Sequence, residues 1–419
     1  MRSALRLLVM MSLVCAPIFF SAHSARAQTF SVIHNFSGGG DGKTPDTGTL
    51  DGAGNFYGTT EAGGSNQPNC GSTGCGTVFK LTQKNGAWVL STLYNFTGGS
   101  DGNAPRAGLT LGPDGSIYGS TVGGGGHGFG TMYKLQPSFT FCRSILCPWN
   151  ETILHRFTAG SDGADPSGLV IFDHSGNLYG TTRGGGGSPN CTADDGCGVV
   201  YELTPAGGSW TESLLYTFAG GADGAYPATG VVLNSAGDFF GTCSGGPSNN
   251  GAVYQLSPSG SGWSKSFIYQ FTGMSDGYGP VGVSIDSAGN LYGATDFGGA
   301  GGGGTVYELS PQNGGWLYSL LYPLTGNPSS YGPVARLTMD AAGNLYGTTL
   351  QGGEFGAGSV FKLTPAMGSW AYTSLHDFTG GDDGSNPGSR VVLDPQGDVY
   401  GATTSGGAFN YGVAFKISP

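Results

Sequence analysis

The chain has 419 residues, of which 83 are glycine and only 10% are charged, with 27 acidic side chains against 16 basic ones. An acidic chain repels phosphate backbones, which argues against nucleic acid as a partner. The glycine content touches the low-complexity range, but aromatics make up 12% and recur at fixed places beside β-branched residues, material that disordered chains lack.

Taken in chain order, the first element is a leader. Arg2 and Arg6 precede or enter a mostly apolar run from Leu5 to Phe20, and Ala25-Arg26-Ala27 follows as a small-residue cleavage pattern. A bacterial-type secretory signal over residues 1–27 is expected, with Gln28 as the mature start and a secreted, extracellular or periplasmic location. Lipidation at Cys15 is the minor alternative, since Val14 stands where a lipoprotein leader wants a small residue. Removing residues 1–27 removes three arginines and no acid, leaving 13 basic against 27 acidic side chains, or −14. No later stretch is long and apolar enough to span a membrane as a helix.

A lone strand-like run, "FSVIHNF" over residues 30–36, comes next. After it one phrase returns along the chain: "DGAGNFYGTTEAGG" from Asp51, "DSAGNLYGATDFGG" from Asp286, "DAAGNLYGTTLQGG" from Asp340. Its aromatic-glycine pair marks seven copies, at Tyr57, Tyr118, Tyr179, Phe240, Tyr292, Tyr346 and Tyr400, spaced by 61, 61, 61, 52, 54 and 54 residues. A fixed period of this size signals a repeat architecture.

Each copy holds four strand-like runs, seen in the third copy at residues 168–173, 177–182, 198–203 and 210–218. All are rich in Val, Ile, Tyr, Phe and Thr and are bounded by turn residues. No segment carries helical periodicity with caps. In "DSAGN", Gly289 suits a positive φ and Asp286 can accept hydrogen bonds from the turn that follows it, so a tight hairpin joins the first two runs. The last copy ends after its third run, "GVAFKISP" at residues 412–419. The lone first run therefore supplies the missing fourth strand. The expected fold is all-β: a seven-bladed β-propeller of four-stranded blades in a single domain, 28–419, its ring closed by the N-terminal strand completing the last blade.

The unit "GNLYGTT-x-x-GG…GTVFKLTP…W…LY-x-F-x-GG-x-DG-x-x-P" resembles the GloVer tandem repeat of bacterial exported proteins, the choice-of-anchor repeat family, over essentially the whole mature chain. The resemblance implies export but no activity that can be carried over. Many such proteins carry a C-terminal sorting anchor, and none follows the last repeat before Pro419.

Candidate functional positions sit where loops share one propeller face. The inter-blade loop carries an aspartate in six of seven copies, at Asp41, Asp101, Asp162, Asp223, Asp276 and Asp383. A ring of carboxylates could hold Ca²⁺ through oxygen ligands; the rival reading is turn chemistry, with Asp-Gly and Pro as ordinary loop residues. The longest loops between second and third strands belong to blades 1 and 3, and each holds a close cysteine pair, Cys70 with Cys75 and Cys191 with Cys197. Cys142 and Cys147 form a third pair in blade 2. Local disulfides are expected in an exported protein, a four-cysteine zinc site being the alternative. Cys243 is left over as a small buried residue. These stapled loops point to binding at Asn66, Asn69, Asp194 and Asp195, with His127 between them. His34, His155 and His376 stand where other blades have tyrosine, which suggests packing rather than catalysis.

No nucleophile triad, phosphate loop or zinc-protease motif is present. The sequence thus favours a monomeric binding or scaffold module for extracellular glycans or surface proteins, with no catalytic residue assigned. A polysaccharide lyase or glycoside hydrolase on the same scaffold is the enzyme alternative.

Overall fold

A computed structural model describes residues 28–64, 68–137, 149–191, 196–325 and 332–419. Seven four-stranded antiparallel sheets follow one another in chain order. In blade 3 the strands are Ile171–Phe172, Leu178–Thr182, Val199–Ala206 and Ser209–Thr217, paired in that order. The sheet over Val392–Leu393, Val399–Thr403 and Val413–Ser418 takes Thr29–Asn35 as its fourth strand, with Thr29 opposite Ser418 and Asn35 opposite Val413. The fold is thus a seven-bladed β-propeller, and the N-terminal strand closes its ring as expected. No α-helix occurs among the described residues.

Both sides of the inner strands are buried, because each blade is covered by a neighbour on each face. Val78 and Phe79 are adjacent in one strand, point to opposite faces, and are both fully buried. At six of the seven junctions the end of the fourth strand delivers a phenylalanine onto a third-strand aromatic of the next blade, edge to face. Phe36 meets Phe79 at 5.1 Å, Phe96 meets Tyr133 at 5.1 Å, Phe157 meets Tyr201 at 5.3 Å, and Phe378 meets Phe415 at 5.3 Å. Between blades 5 and 6, Leu324 packs in the same cluster as Phe361 instead. Farther out, all six tryptophans reach back to the preceding blade. Trp149 packs on Tyr57, Trp210 on Tyr118, Trp316 on Phe240, Trp370 on Tyr292 and Trp88 on Tyr400, while Trp263 joins the cluster of Tyr179 and Phe239. Edge-to-face contacts of this kind add to the burial of large rings.

The hairpin written D-x-x-G-N has one mechanism in blades 1, 3, 5 and 6. Asp286 Oδ1 accepts the backbone N–H groups of Ala288 and Asn290, both at 2.9 Å, while Oδ2 accepts from the Asn290 amide and the Tyr292 hydroxyl. Gly289 sits at φ 88°. Asp51 and Asp340 do the same with Tyr57 and Tyr346. The phrase "D-x-x-G-N-x-Y" is therefore a self-contained knot of hydrogen bonds.

Candidate functional site

The six inter-blade aspartates are each occupied within their own blade. Asp276 Oδ2 accepts the Thr272 N–H at 2.8 Å and the Tyr269 hydroxyl at 3.0 Å, and Oδ1 accepts the Thr272 hydroxyl at 2.5 Å. Asp101 repeats this with Tyr94 and Thr97. Asp41, Asp162 and Asp383 replace the tyrosine by His34, His155 and His376, at 3.1, 3.1 and 3.0 Å. Asp223 bonds Tyr216 and the Ala219 N–H and adds an ion pair to Lys265 at 2.6 Å. Burial opposes ionisation at Asp41, Asp276 and Asp383, but the Ser or Thr hydroxyl, its own N–H and the Tyr or His hold these carboxyls below the ordinary range. A calcium ion would have to displace those donors one blade at a time. Among the described residues no three His, Cys, Asp or Glu side chains gather as they would around a metal ion.

The clamp was readable as spacing: Tyr or His seven residues before each Asp, and Ser or Thr four before it in all but the Asp223 loop, where Ala219 stands. It also gives the histidines their work. His34 and His155 lie below the usual imidazole range, because burial outweighs the neighbouring carboxylate.

Cys70–Cys75 and Cys191–Cys197 are disulfides, which removes all four sulfurs as zinc ligands. All four are buried. The staples pack beneath the next inter-blade turn rather than standing up as ligand fingers: a side chain at Gly98 would strike Cys75, and one at Gly220 would strike both Cys191 and Cys197. Asn69 and His127 are exposed on the loop face. Asn66, Asp194, Asp195, Cys142, Cys147 and residues 1–27 lie outside the described residues.

Cys243 is buried and free, and burial pushes its thiol up to about 12. Its place explains it. In blades 1, 2, 5 and 6 a buried Thr at this position bonds a hydroxyl at the start of the third strand, as Thr60 does Thr77 and Thr295 does Thr305, both at 2.9 Å, while in blades 3 and 7 it faces Val199 or Val413 and donates to a nearby carbonyl. In blade 4 both members are replaced together, Cys243 facing Ala252, so no orphan hydroxyl remains.

The loop face carries a second set of residues that the sequence reading passed over. Tyr278, Phe355, Phe409 and Tyr411 are exposed by 39, 56, 56 and 40%. All belong to glycine-rich loops of blades 5 to 7, "SDGYGP", "GGEFGAG" and "GGAFNYG". Tyr278 stacks on Phe297 at 5.2 Å, and Tyr411 lies against Gly38 with the Lys43 ammonium 5.7 Å from its ring centre. These contacts hold the two tyrosine rings while leaving area open to solvent. The signal for them was an aromatic inside a polar, glycine-rich loop.

A central channel of about 140 Å³ is lined by residues of all seven blades just after the loop prolines. Its lining includes Asp46, Arg106, Ser167, Arg336 and Arg390. Arg106 pairs with Glu61 at 2.5 Å.

Fold, clamps and loop face together define a propeller of tandem repeats whose scaffold chemistry is repeated and whose loop tips vary. The chain belongs to the Gloeobacter/Verrucomicrobia repeat family, whose repeat matches residues 18–193, 68–280 and 242–419. That agrees with the family resemblance drawn from the "GNLYGTT" unit. No curated protein matches the chain. Among solved structures it is similar to a proposed oxidoreductase (glucose dehydrogenase) from Thermus thermophilus, at 13% identity and TM-score 0.40, covering 75% of this chain and 96% of that one. It is also similar to a protein of unknown function from Dyadobacter fermentans, at 10% identity and TM-score 0.45, covering 82% and 96%.

Proposed function

We propose that this protein is an exported binding module whose loop face takes an extracellular glycan. Residues 1–27 are its leader, 28–419 its single domain. The observation that carries the reading is the set of exposed rings at Tyr278, Phe355, Phe409 and Tyr411, in or beside the glycine-rich loops of blades 5 to 7. Aromatic faces supply large contact area at low entropic cost and offer apolar surface to sugar rings. Two disulfides suit an oxidising compartment, and no helix among the described residues is long and apolar enough to cross a membrane. Asn69 and His127 lie on the same face at blades 1 and 2 and form the polar part of the surface. The aspartates act as turn clamps, so binding does not depend on calcium.

Co-sedimentation with a panel of insoluble polysaccharides, with and without EDTA, tests this. Retention by at least one polysaccharide, unchanged by EDTA and reduced about tenfold by Phe355→Ala with Phe409→Ala, is the expected result. Loss with EDTA would restore the calcium reading at Asp41, Asp101, Asp162, Asp223, Asp276 and Asp383. Retention by none of them would overturn the glycan assignment in favour of a surface protein.

A further inference from the structure

The central channel breaks the sevenfold sameness in a way the scaffold does not need. Three residues after the loop proline, blades 2 and 4 carry Gly108 and Gly230, and blade 3 carries Leu169. At the same place blades 6 and 7 carry Arg336 and Arg390. Both line the channel. Each leans over a glycine of an adjoining blade: Arg390 Nη2 donates to the Gly48 carbonyl at 3.3 Å, and the Arg336 Cβ lies 3.5 Å from where a Cβ on Gly282 would stand. Only six arginines occur after residue 27, so half of them, Arg106, Arg336 and Arg390, meet in this one cavity of an acidic protein.

Their partners do not balance. Arg106 is taken by Glu61, and Asp46 faces Arg106 and Arg390. Arg336 has no hydrogen bond or ion pair with any described residue, and the charge it feels is that of Arg390. Burial, with Arg390 beside it, pulls Arg336 down to about 9, which leaves it charged at neutral pH. Two like charges in a narrow channel, one of them unpartnered, cost stability unless something negative joins them. A guanidinium pair is also the donor set that fits a carboxylate, phosphate or sulfate with parallel hydrogen bonds.

We propose that the channel is a binding site for a small oxyanion, held between Arg336 and Arg390. The cavity's volume of about 140 Å³ is enough for a group of phosphate or carboxylate size, and its lining includes none of Tyr278, Phe355, Phe409 and Tyr411. The site is thus separate from the aromatic loop face and does not depend on the glycan reading.

Calorimetric titration of the full chain with inorganic phosphate, and separately with succinate, at fixed ionic strength and in chloride buffer, tests it. One site per chain is expected for at least one of the two, and which one binds tells a phosphoryl-type ligand from a carboxylate. Arg336→Gln and Arg390→Gln should each weaken that binding by about tenfold or more. Arg336→Gly places in blade 6 the residue type that blades 2 and 4 already carry, so it serves as the variant that must fold. In chloride buffer without phosphate or succinate it should melt no lower than the parent, because it removes an unpartnered charge, and phosphate or succinate should no longer raise its melting temperature. No heat with either anion overturns the proposal. So does binding that Arg336→Gln and Arg336→Gly leave within about twofold of the parent.

Discussion

At the scale of single residues the inter-blade aspartates do most of the shaping. Each carboxylate closes a turn by accepting from its own blade, and charge-assisted bonds of this kind outweigh neutral ones. Replacing Asp276 by Ala leaves the Thr272 N–H and the Tyr269 hydroxyl without their acceptor, and chemical denaturation should show a loss of about 2–3 kcal/mol. Chelation with EDTA should not reproduce that loss. The opposite sign is expected inside the blades. Tyr133, Tyr201, Tyr254 and Tyr307 are fully buried, and their hydroxyls have no partner among the described residues. The same position holds Phe79, Phe361 and Phe415 in other blades, paired opposite the second-strand glycine in the same way. Tyr201→Phe should therefore raise stability by about 1 kcal/mol, read as a higher denaturation midpoint at unchanged slope. Spacing could suggest the hairpin aspartates and glycines, since a turn is local. It could not reveal that four tyrosines lack partners, because a hydroxyl's surroundings come from two blades at once.

At the scale of elements the blade junction is the unit. Two residues beyond the tryptophan, the fourth strands of blades 2 to 6 present one side chain to the junction with the preceding blade: Glu151, Glu212, Lys265, Tyr318 and Tyr372. Lys265 pairs with Asp223, Tyr318 stacks on Tyr269 at 4.4 Å, and Tyr372 stacks on Tyr322 at 5.0 Å. In the last blade Phe30 stacks on His376 at 3.7 Å. Glu151 and Glu212 are the mismatched members. Burial, aided by Asp101 at the first and Asp162 at the second, pushes each carboxyl up to about 7, although Tyr94 donates to Glu151. The native state thus keeps a proton that the unfolded chain releases near 4.5, and stability falls as pH rises from about 4.5 to about 7. Glu212→Gln should flatten that part of the pH–stability curve and add on the order of 1–3 kcal/mol at pH 8. A curve unchanged by the substitution would place Glu212 in solvent. At the same junctions Trp210→Ala, which removes a half-buried ring from Tyr118, should cost about 3 kcal/mol. The tryptophan was visible in the repeat unit. Its partner in the preceding blade was not, because residues about 90 apart meet only once the ring exists.

At the scale of the whole molecule, blade number, strand count and ring closure were all legible, because seven copies of a local pattern leave little choice of topology. The first strands were less so. The run at 168–173 reads as a full strand, yet regular pairing in blade 3 covers only Ile171–Phe172, and Leu169 instead bridges to Gly230 of the next blade. Near the axis the chain serves the ring rather than its own sheet. Function was least legible for the same reason. The exposed rings of blades 5 to 7 and the arginine pair of blades 6 and 7 depart from the repeat, and departures draw attention only when a fold shows what they face.

The pairing of Thr29 with Ser418 also sets an order in time. The strand Thr29–Asn35 is the first of the ring to be made and the last to find its place, since its partner, Val413–Ser418, is the last strand of the ring to be made. Until then the earliest segment waits with its edge open, and the last blade has three strands. A chain threaded through a membrane from its N-terminus would meet no closed ring on the way, so it would stay compatible with passage for as long as passage takes. Ring completion then comes as a single late event, and loss of Val413–Ser418 would leave the first strand without the partner it pairs with.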